Sequence, residues 1–174
     1  NEIKNAKAGK KAYIHLKLNN LTDTEIINYL YEASAAGVSI KLIVRGMISL
    51  VPGIKEISEN IKARGIVDRF LEHSRFMIFC NDGNEECFIT SADLMPRNLD
   101  RRVEVLFPVE DHTIKAAITD LILPVHLSDN TKARVLGPDG RYERIRRKTG
   151  ETACNAQEWC LSHRGAWQYG KKEE

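Results

Sequence analysis

The segment from Lys11 to Val44 constrains the fold most. Lys11-Ala12-Tyr13-Ile14-His15-Leu16-Lys17-Leu18 partly alternates apolar and polar and predicts a strand. Leu21-Thr22-Asp23 then opens a helix that Thr22 or Asp23 can cap. Ile26, Ile27, Leu30 and Tyr31 recur along it at helical spacing. Gly37 stands where a C-terminal cap would stop it. Val38-Ser39-Ile40-Lys41-Leu42-Ile43-Val44 follows, rich in β-branched residues, and predicts a buried strand. A strand, a capped helix and a second apolar strand form a unit that is α/β in style.

The rest extends that pattern. Val51-Pro52-Gly53 marks a turn, and residues 61–66 form a short strand. Residues 75–80 and 86–90 read as two strands joined by Asn81-Asp82-Gly83-Asn84, which has good hairpin chemistry. Residues 102–107 form another strand. Residues 111–123 form a helix carrying Ile114, Ala117, Ile118 and Leu121 on one face, with Pro124 ending it or following closely. From Asp129 the pattern changes: residues 134–136 and 141–145 flank Gly137-Pro138-Asp139-Gly140 as a small hairpin. Residues 155–167 form a terminal helix, and residues 171–174 fray. With 174 residues and 43% hydrophobic content, one domain with a C-terminal appendage is the simplest account.

Charge and cysteine content narrow the function classes. The net charge of +2 gives no bulk mandate for nucleic acid or membrane, so any anion site must come from local clustering. No apolar run approaches the roughly 20 residues that span a bilayer. The chain opens on Asn1-Glu2-Ile3-Lys4 without Met or a signal-peptide core, as expected of a cut inside a longer protein. Cys80, Cys87, Cys154 and Cys160 lack C-x-x-C spacing and read as reduced and structural.

The chemistry is concentrated around His73. Phe70-Leu71-Glu72-His73-Ser74-Arg75 precedes an apolar strand, and strand ends are where α/β folds present their sites. Imidazole attacks phosphorus or moves protons near neutral pH, and guanidinium groups hold multiply charged oxyanions. Arg64, Arg69, Arg75, Arg97, Arg101 and Arg102 fall between positions 64 and 102, a density that also fits a solvated basic face. On a strand, Arg102 and Glu104 share one face. Such a pair either orients a site residue or bridges on the surface, and periodicity leaves both open. Arg45, at the end of its apolar strand, fits an anion ligand or a snorkelling surface residue. Lys17, Asn19 and Asn20 end the first strand and are phosphate or loop-capping groups. Asp93, Asp100 and Glu104 offer Mg²⁺ ligands without forming a clustered motif, so no metal ligand is assigned. His15, His112, His126 and His163 have no evident partners. Neither a Walker A pattern nor G-x-G-x-x-G is present, so side chains must do most of any nucleotide holding.

These residues resemble the C-terminal part of bacterial polyphosphate kinase of the first type. The matching pieces run in order: residues 17–23, Ile43-Val44-Arg45-Gly46, Pro52-Gly53-Ile54, Ser58-Glu59-Asn60-Ile61, Arg69-Phe70-Leu71-Glu72-His73-Ser74-Arg75, the long run 91–104 and Asn155-Ala156-Gln157-Glu158. The resemblance implies an α/β, phospholipase D-like half: a mixed β-sheet flanked by helices, with a small C-terminal hairpin and helix. Residues 1–128 would be the second phospholipase D-like catalytic domain, and residues 129–174 its extension, with no chemistry assigned there. His73-Ser74-Arg75 stands where that superfamily has a His-x-Lys segment.

The resemblance further implies reversible transfer of the ATP terminal phosphate to polyphosphate, through a phosphohistidine on a partner half absent from this chain. His73 would assist across the site as proton donor or electrostatic partner, with Arg102 and Glu104 completing its surroundings. Arg45, His73, Arg75, Lys17, Asn19 and Arg101 would hold nucleotide and phosphate. Mg²⁺ and ATP/ADP are the implied cofactor and substrates. The implied partners are polyphosphate, the remaining domains and other copies of the full-length chain, with no nucleic acid and with scope for peripheral membrane association, in the cytoplasm. The fragment alone is expected to be inactive. Two other readings of the same residues are a phospholipase D-like phosphodiesterase half that pairs two copies of His73, and a noncatalytic polyanion-binding module.

Overall fold

In the computed structural model, which describes residues 1–163 and 165, eight strands form one mixed sheet of order β6-β5-β4-β1-β2-β3-β7-β8. The centre is parallel: β1 (Tyr13–Leu18), β2 (Ser39–Val44) and β3 (Ile61–Ile66) run side by side, with Leu18 opposite Val44 and Ile43 opposite Arg64. Antiparallel strands extend it both ways. On one side lie β4 (Phe76–Phe79), β5 (Glu86–Thr90) and β6 (Leu106–Pro108). On the other lie β7 (Ala133–Leu136) and β8 (Tyr142–Arg144). The chain is therefore an α/β fold with a mixed sheet and helices on both faces.

Alternation along the strands builds the two cores. Ile40, Leu42 and Val44 point one way and pack with Leu16, Leu18 and Ala63 under α2 (Thr24–Ala35), which contributes Ile27, Leu30 and Ala33. Ile40 and Leu42 are fully buried, each worth about 1.5–3 kcal/mol relative to exposure. The Asp23 carboxylate caps α2 by accepting from Ile26 N at 3.0 Å, and Gly37 follows at φ +95°, where a left-handed residue ends the helix. Ile43 points to the opposite face and joins Phe76, Ile78 and Cys87 beneath Ile118 and Leu123.

Three elements differ from the sequence expectation. A short helix, α1 (Glu2–Lys7), precedes β1, and its buried Glu2 carboxylate accepts from Tyr13 N and Asn81 N at 3.1 and 2.7 Å. Residues 102–107 do not form one strand. Pro96 starts α3 (Pro96–Arg101), Arg102 ends it in extended conformation, and pairing resumes only at Leu106. Arg102 and Glu104 thus sit on a loop, not on one strand face.

Pro124 does not end the helix. A continuous helical segment runs through α4 (His112–Ala116), a π-helical stretch (Ala117–Ile122) and α5 (Leu123–Ser128), with Pro124 in the first turn of α5. The wider turn removes the demand for a proline N–H and relieves its clash with the preceding turn. The C-terminal hairpin forms as expected, and β7 pairs with β3. α6 (Ala156–Ser162) starts under its Asn155 cap and ends at Ser162, short of the expected end; residues 164 and 166–167 of the expected helix and the expected fraying at 171–174 lie outside the described residues.

Candidate active site

The carboxyl ends of β1, β2 and β3, the start of β4 and the end of β5 meet along one edge of the sheet, because β4 is antiparallel to β1 and β5 antiparallel to β4. Leu21, fully buried, pins the loops there: it bridges both Ile48 and Leu94, and its N–H donates to Met47 O at 2.8 Å. This is the end of an α/β sheet at which ligands bind.

Two carboxylates organise the edge. Asp93 is 3% exposed. Its Oδ1 accepts from Asn19 N (2.8 Å), Asn20 N (3.1 Å) and Arg75 Nε (2.8 Å), and its Oδ2 accepts from Asn20 Nδ2 (2.9 Å) and Arg75 Nη2 (3.3 Å). Burial alone would raise this carboxyl, but the hydrogen bonds from Arg75 and Asn20 and the backbone amides outweigh it and hold it at about 2. Glu72 is the second hub. Its Oε2 meets Lys17 Nζ at 2.9 Å and His126 Nε2 at 2.8 Å, and its Oε1 accepts from Gln157 Nε2 at 3.0 Å. Burial opposes its charge, yet His126 and Lys17 hold the carboxyl well below the usual carboxylate range.

These hubs place the candidate residues. Arg75, buried, turns its terminal nitrogens toward His73: Nη2 lies 3.2 Å from Nε2, Nη1 lies 3.5 Å from Nδ1, and Nη1 donates to His73 O at 3.1 Å. His73 itself is exposed, so its ring faces solvent with a fixed cation beside it. Lys17, 4% exposed, also donates to Ser74 Oγ at 3.0 Å, holding the segment that carries His73. Arg45 Nε donates to Asn19 Oδ1 and to Glu72 O, the latter at 2.7 Å. Its terminal guanidinium nitrogens have no partner among the described residues. Asn19 Nδ2 is buried without a hydrogen-bond partner.

Lys17, Asn19, Arg45, His73 and Arg75 therefore belong to one bonded network. Glu104 lies beside it, its carboxylate accepting from Ser91 Oγ and from Asn98 Nδ2 (2.7 Å); those bonds and the nearby Arg102 and Arg75 charges lower its carboxyl. Arg101 and Arg102 are exposed on the rim, without an ion pair among the described residues.

Two contributors escape a sequence-only reading. His126, which has no evident partner in sequence, is buried, with Nδ1 2.7 Å from Ile122 O and Nε2 on Glu72. Both ring nitrogens lie within hydrogen-bond distance of an oxygen. The region after Asp129 also takes part, because Gln157 Oε1 accepts from Phe70 N at 2.9 Å while its Nε2 donates to Phe70 O at 2.8 Å. Asn155 Nδ2 donates to Asp68 Oδ2 at 2.7 Å, and Asp129 Oδ2 accepts from Ala156 N at 2.8 Å. The signal for Gln157 lies in the short motif 155–158; nothing in sequence marks His126.

Asp93, Glu72 and Glu104 are committed to internal donors, and no group of three metal-ligating side chains occurs among the described residues. The cysteines are free thiols; Cys80 and Cys87 are buried, and burial raises the Cys87 thiol to about 11.

A mixed α/β sheet that presents a histidine segment at one edge defines the fold class. The fold is similar to that of the phospholipase D family member Nuc from Salmonella typhimurium, with a TM-score of 0.51 at 14% identity over 78% of this chain and 88% of that one. Within that class, residues 1–157 match the family model for polyphosphate kinase C-terminal domain 2, and the chain belongs to that family. It is similar to the crystal structure of polyphosphate kinase from Porphyromonas gingivalis, with a TM-score of 0.90 and 42% identity, covering 97% of this chain and 26% of that one. It is also 56% identical over 133 residues to polyphosphate kinase of Vibrio cholerae, covering 76% of this chain and 19% of that protein. The chain thus spans about a fifth to a quarter of the length of these relatives.

Proposed function

We propose that this chain supplies one wall of a composite phosphoryl-transfer site that moves the terminal phosphate of ATP to and from polyphosphate. Residues 1–128 form the second phospholipase D-like catalytic unit, and residues 129–174 support it. The observation that carries the reading is the contrast between two imidazoles. His126 is buried and committed on both nitrogens, whereas His73 is exposed at the convergent strand ends against the Arg75 guanidinium. One exposed imidazole suits an assisting role, with the phosphohistidine forming on a partner domain.

The arrangement suits phosphoryl transfer, which is mostly positioning and charge neutralisation. Arg45 is held by its Nε alone, leaving both terminal nitrogens for phosphate oxygens. The unpartnered Asn19 Nδ2 beside it is a further donor. Arg75 fixes the His73 ring and neutralises charge developing beside it. Arg101 and Arg102 stand on the rim for the outer phosphates, while Glu104 with Ser91 and Asn98 fixes the loop joining α3 to β6. Magnesium enters this account only as the ion carried with ATP. The work takes place in the cytoplasm, in an oligomer of the longer kinase polypeptide.

The test uses His73→Ala in the kinase polypeptide that carries this sequence. Turnover should fall by at least a hundredfold, the lower range of a general acid–base contribution, with the melting temperature unchanged because the ring is exposed. Unchanged turnover refutes the assisting role.

A further inference from the structure

Beside Arg45, a groove of about 470 Å³ opens across the ends of β2 and β3 and along β7 and β8. Its cations are placed by strand register. Gly65, Arg134 and Arg144 are direct cross-strand partners, so all three share one face of the sheet, and Lys132 and Tyr142 lie two residues away on that face. Gly65 makes room for the floor: a Cβ there would stand 3.0 Å from Val44 O and 3.5 Å from Tyr142 Cε1, so its absence lets the Tyr142 ring lie close to the strand. Lys132 is offset by Asp68, 2.8 Å away. Arg134 and Arg144, both exposed, have no carboxylate within ion-pair distance among the described residues.

Like charges directly opposite on paired strands are destabilising. A free surface gains nothing from such a pair, whereas a bound polyanion placed between the two guanidiniums turns the repulsion into paired attraction. The groove also begins at Arg45, the residue that links it to the site edge. From β2 to β8 it crosses three strand spacings, about 14 Å. That is longer than the phosphates of one nucleotide require.

We propose that this groove binds the linear polyphosphate chain beyond the phosphates held at Arg45, with Arg134 and Arg144 as its distal clamp. The inference rests on the proposed function and adds a second subsite to it. Recognition is by charge along a flexible string of phosphates, with no base to stack or pair, so chain length is what the groove reads.

The test measures binding of long-chain polyphosphate, tripolyphosphate and single-stranded RNA to the 174-residue chain, with melting curves as the fold control. The wild type should bind long chains at least tenfold more tightly than tripolyphosphate. The double variant Arg134→Gln/Arg144→Gln should remove that advantage and leave tripolyphosphate affinity unchanged. Its salt slope for the long chain should fall by about 1.4, at about 0.7 for each phosphate that the missing guanidiniums leave unneutralised. Arg144→Glu should raise the melting temperature by pairing with Arg134 while abolishing the length preference, which separates a binding role from a folding role. An unaltered length preference in the double variant overturns the inference and leaves the proposed function standing. An equal loss for RNA makes the groove a general polyanion surface and overturns it as well. Loss of no affinity in Arg45→Gln instead counts against the proposed function itself.

Discussion

Asp93→Asn tests the buried scaffold of the site, and its cost follows from the contacts. Asp93 Oδ1 and Oδ2 accept from Arg75 Nε at 2.8 Å and from Nη2 at 3.3 Å, in a pair only 9% and 5% exposed at the side chains. The carboxyl is held at about 2 against an ordinary 3.8. That depression is worth on the order of 2 kcal/mol of folding stability at neutral pH. Truncating one partner of a buried ion pair costs about 3–5 kcal/mol, and Asn retains one acceptor, so about 2–3 kcal/mol is expected. For a chain of this size that lowers the melting temperature by roughly 5–10 °C.

The pH dependence distinguishes this from a packing defect. Because the folded-state carboxyl is depressed, its contribution is complete above the unfolded value of 3.8 and is lost as pH falls towards 2. Urea denaturation of both proteins should show the gap shrinking by about 1 kcal/mol between pH 5 and pH 3. A gap below 0.5 kcal/mol by the same measure, on the scale of ordinary surface changes, or one that holds constant with pH, refutes the reasoning.

Three further outcomes are expected. Gln157→Leu removes both clamps on Phe70 and the donor to Glu72 Oε1; it should cost about 1–3 kcal/mol in urea denaturation and raise amide exchange at Phe70 by tenfold or more, and unchanged exchange rejects the clamp. His126→Phe leaves Glu72 paired with Lys17 but strips a buried charge-assisted bond of 2.8 Å; a loss of about 2–4 kcal/mol is expected, and a neutral result means the pair contributes nothing net. Arg45→Gln should weaken ATP binding to the kinase polypeptide by roughly tenfold to a hundredfold, the worth of charge-assisted hydrogen bonds, with unaltered affinity counting against its place in the site.

Local chemistry was legible in the sequence, and long-range pairing was not. Asp23, Gly37 and the apolar alternation of residues 39–44 announce their helix and strand because each acts within a few residues of itself. His73 and Arg75 stand out because the site needs them adjacent, at the start of one strand. The residues that hold them are different in kind. Glu72 meets His126 and Gln157 across 54 and 85 positions, and Arg75 meets Asp93 across 18, so their bonds exist only once the sheet order is known. Arg102 and Glu104 alternate as a strand would, but Pro96 draws the preceding residues into a helix and postpones pairing to Leu106. Pro124 carries a stop signal that a π-helical turn absorbs, which periodicity cannot reveal.

The central claim is that His73 assists a phosphohistidine formed elsewhere and is not itself the nucleophile. Incubation of the kinase polypeptide and of the 174-residue chain with ATP labelled at its terminal phosphate, followed by peptide mapping of the acid-labile, base-stable label, tests it most directly. The account predicts label on the longer polypeptide at a histidine outside this sequence, and none on the isolated chain. Label on His73 in either protein would contradict it.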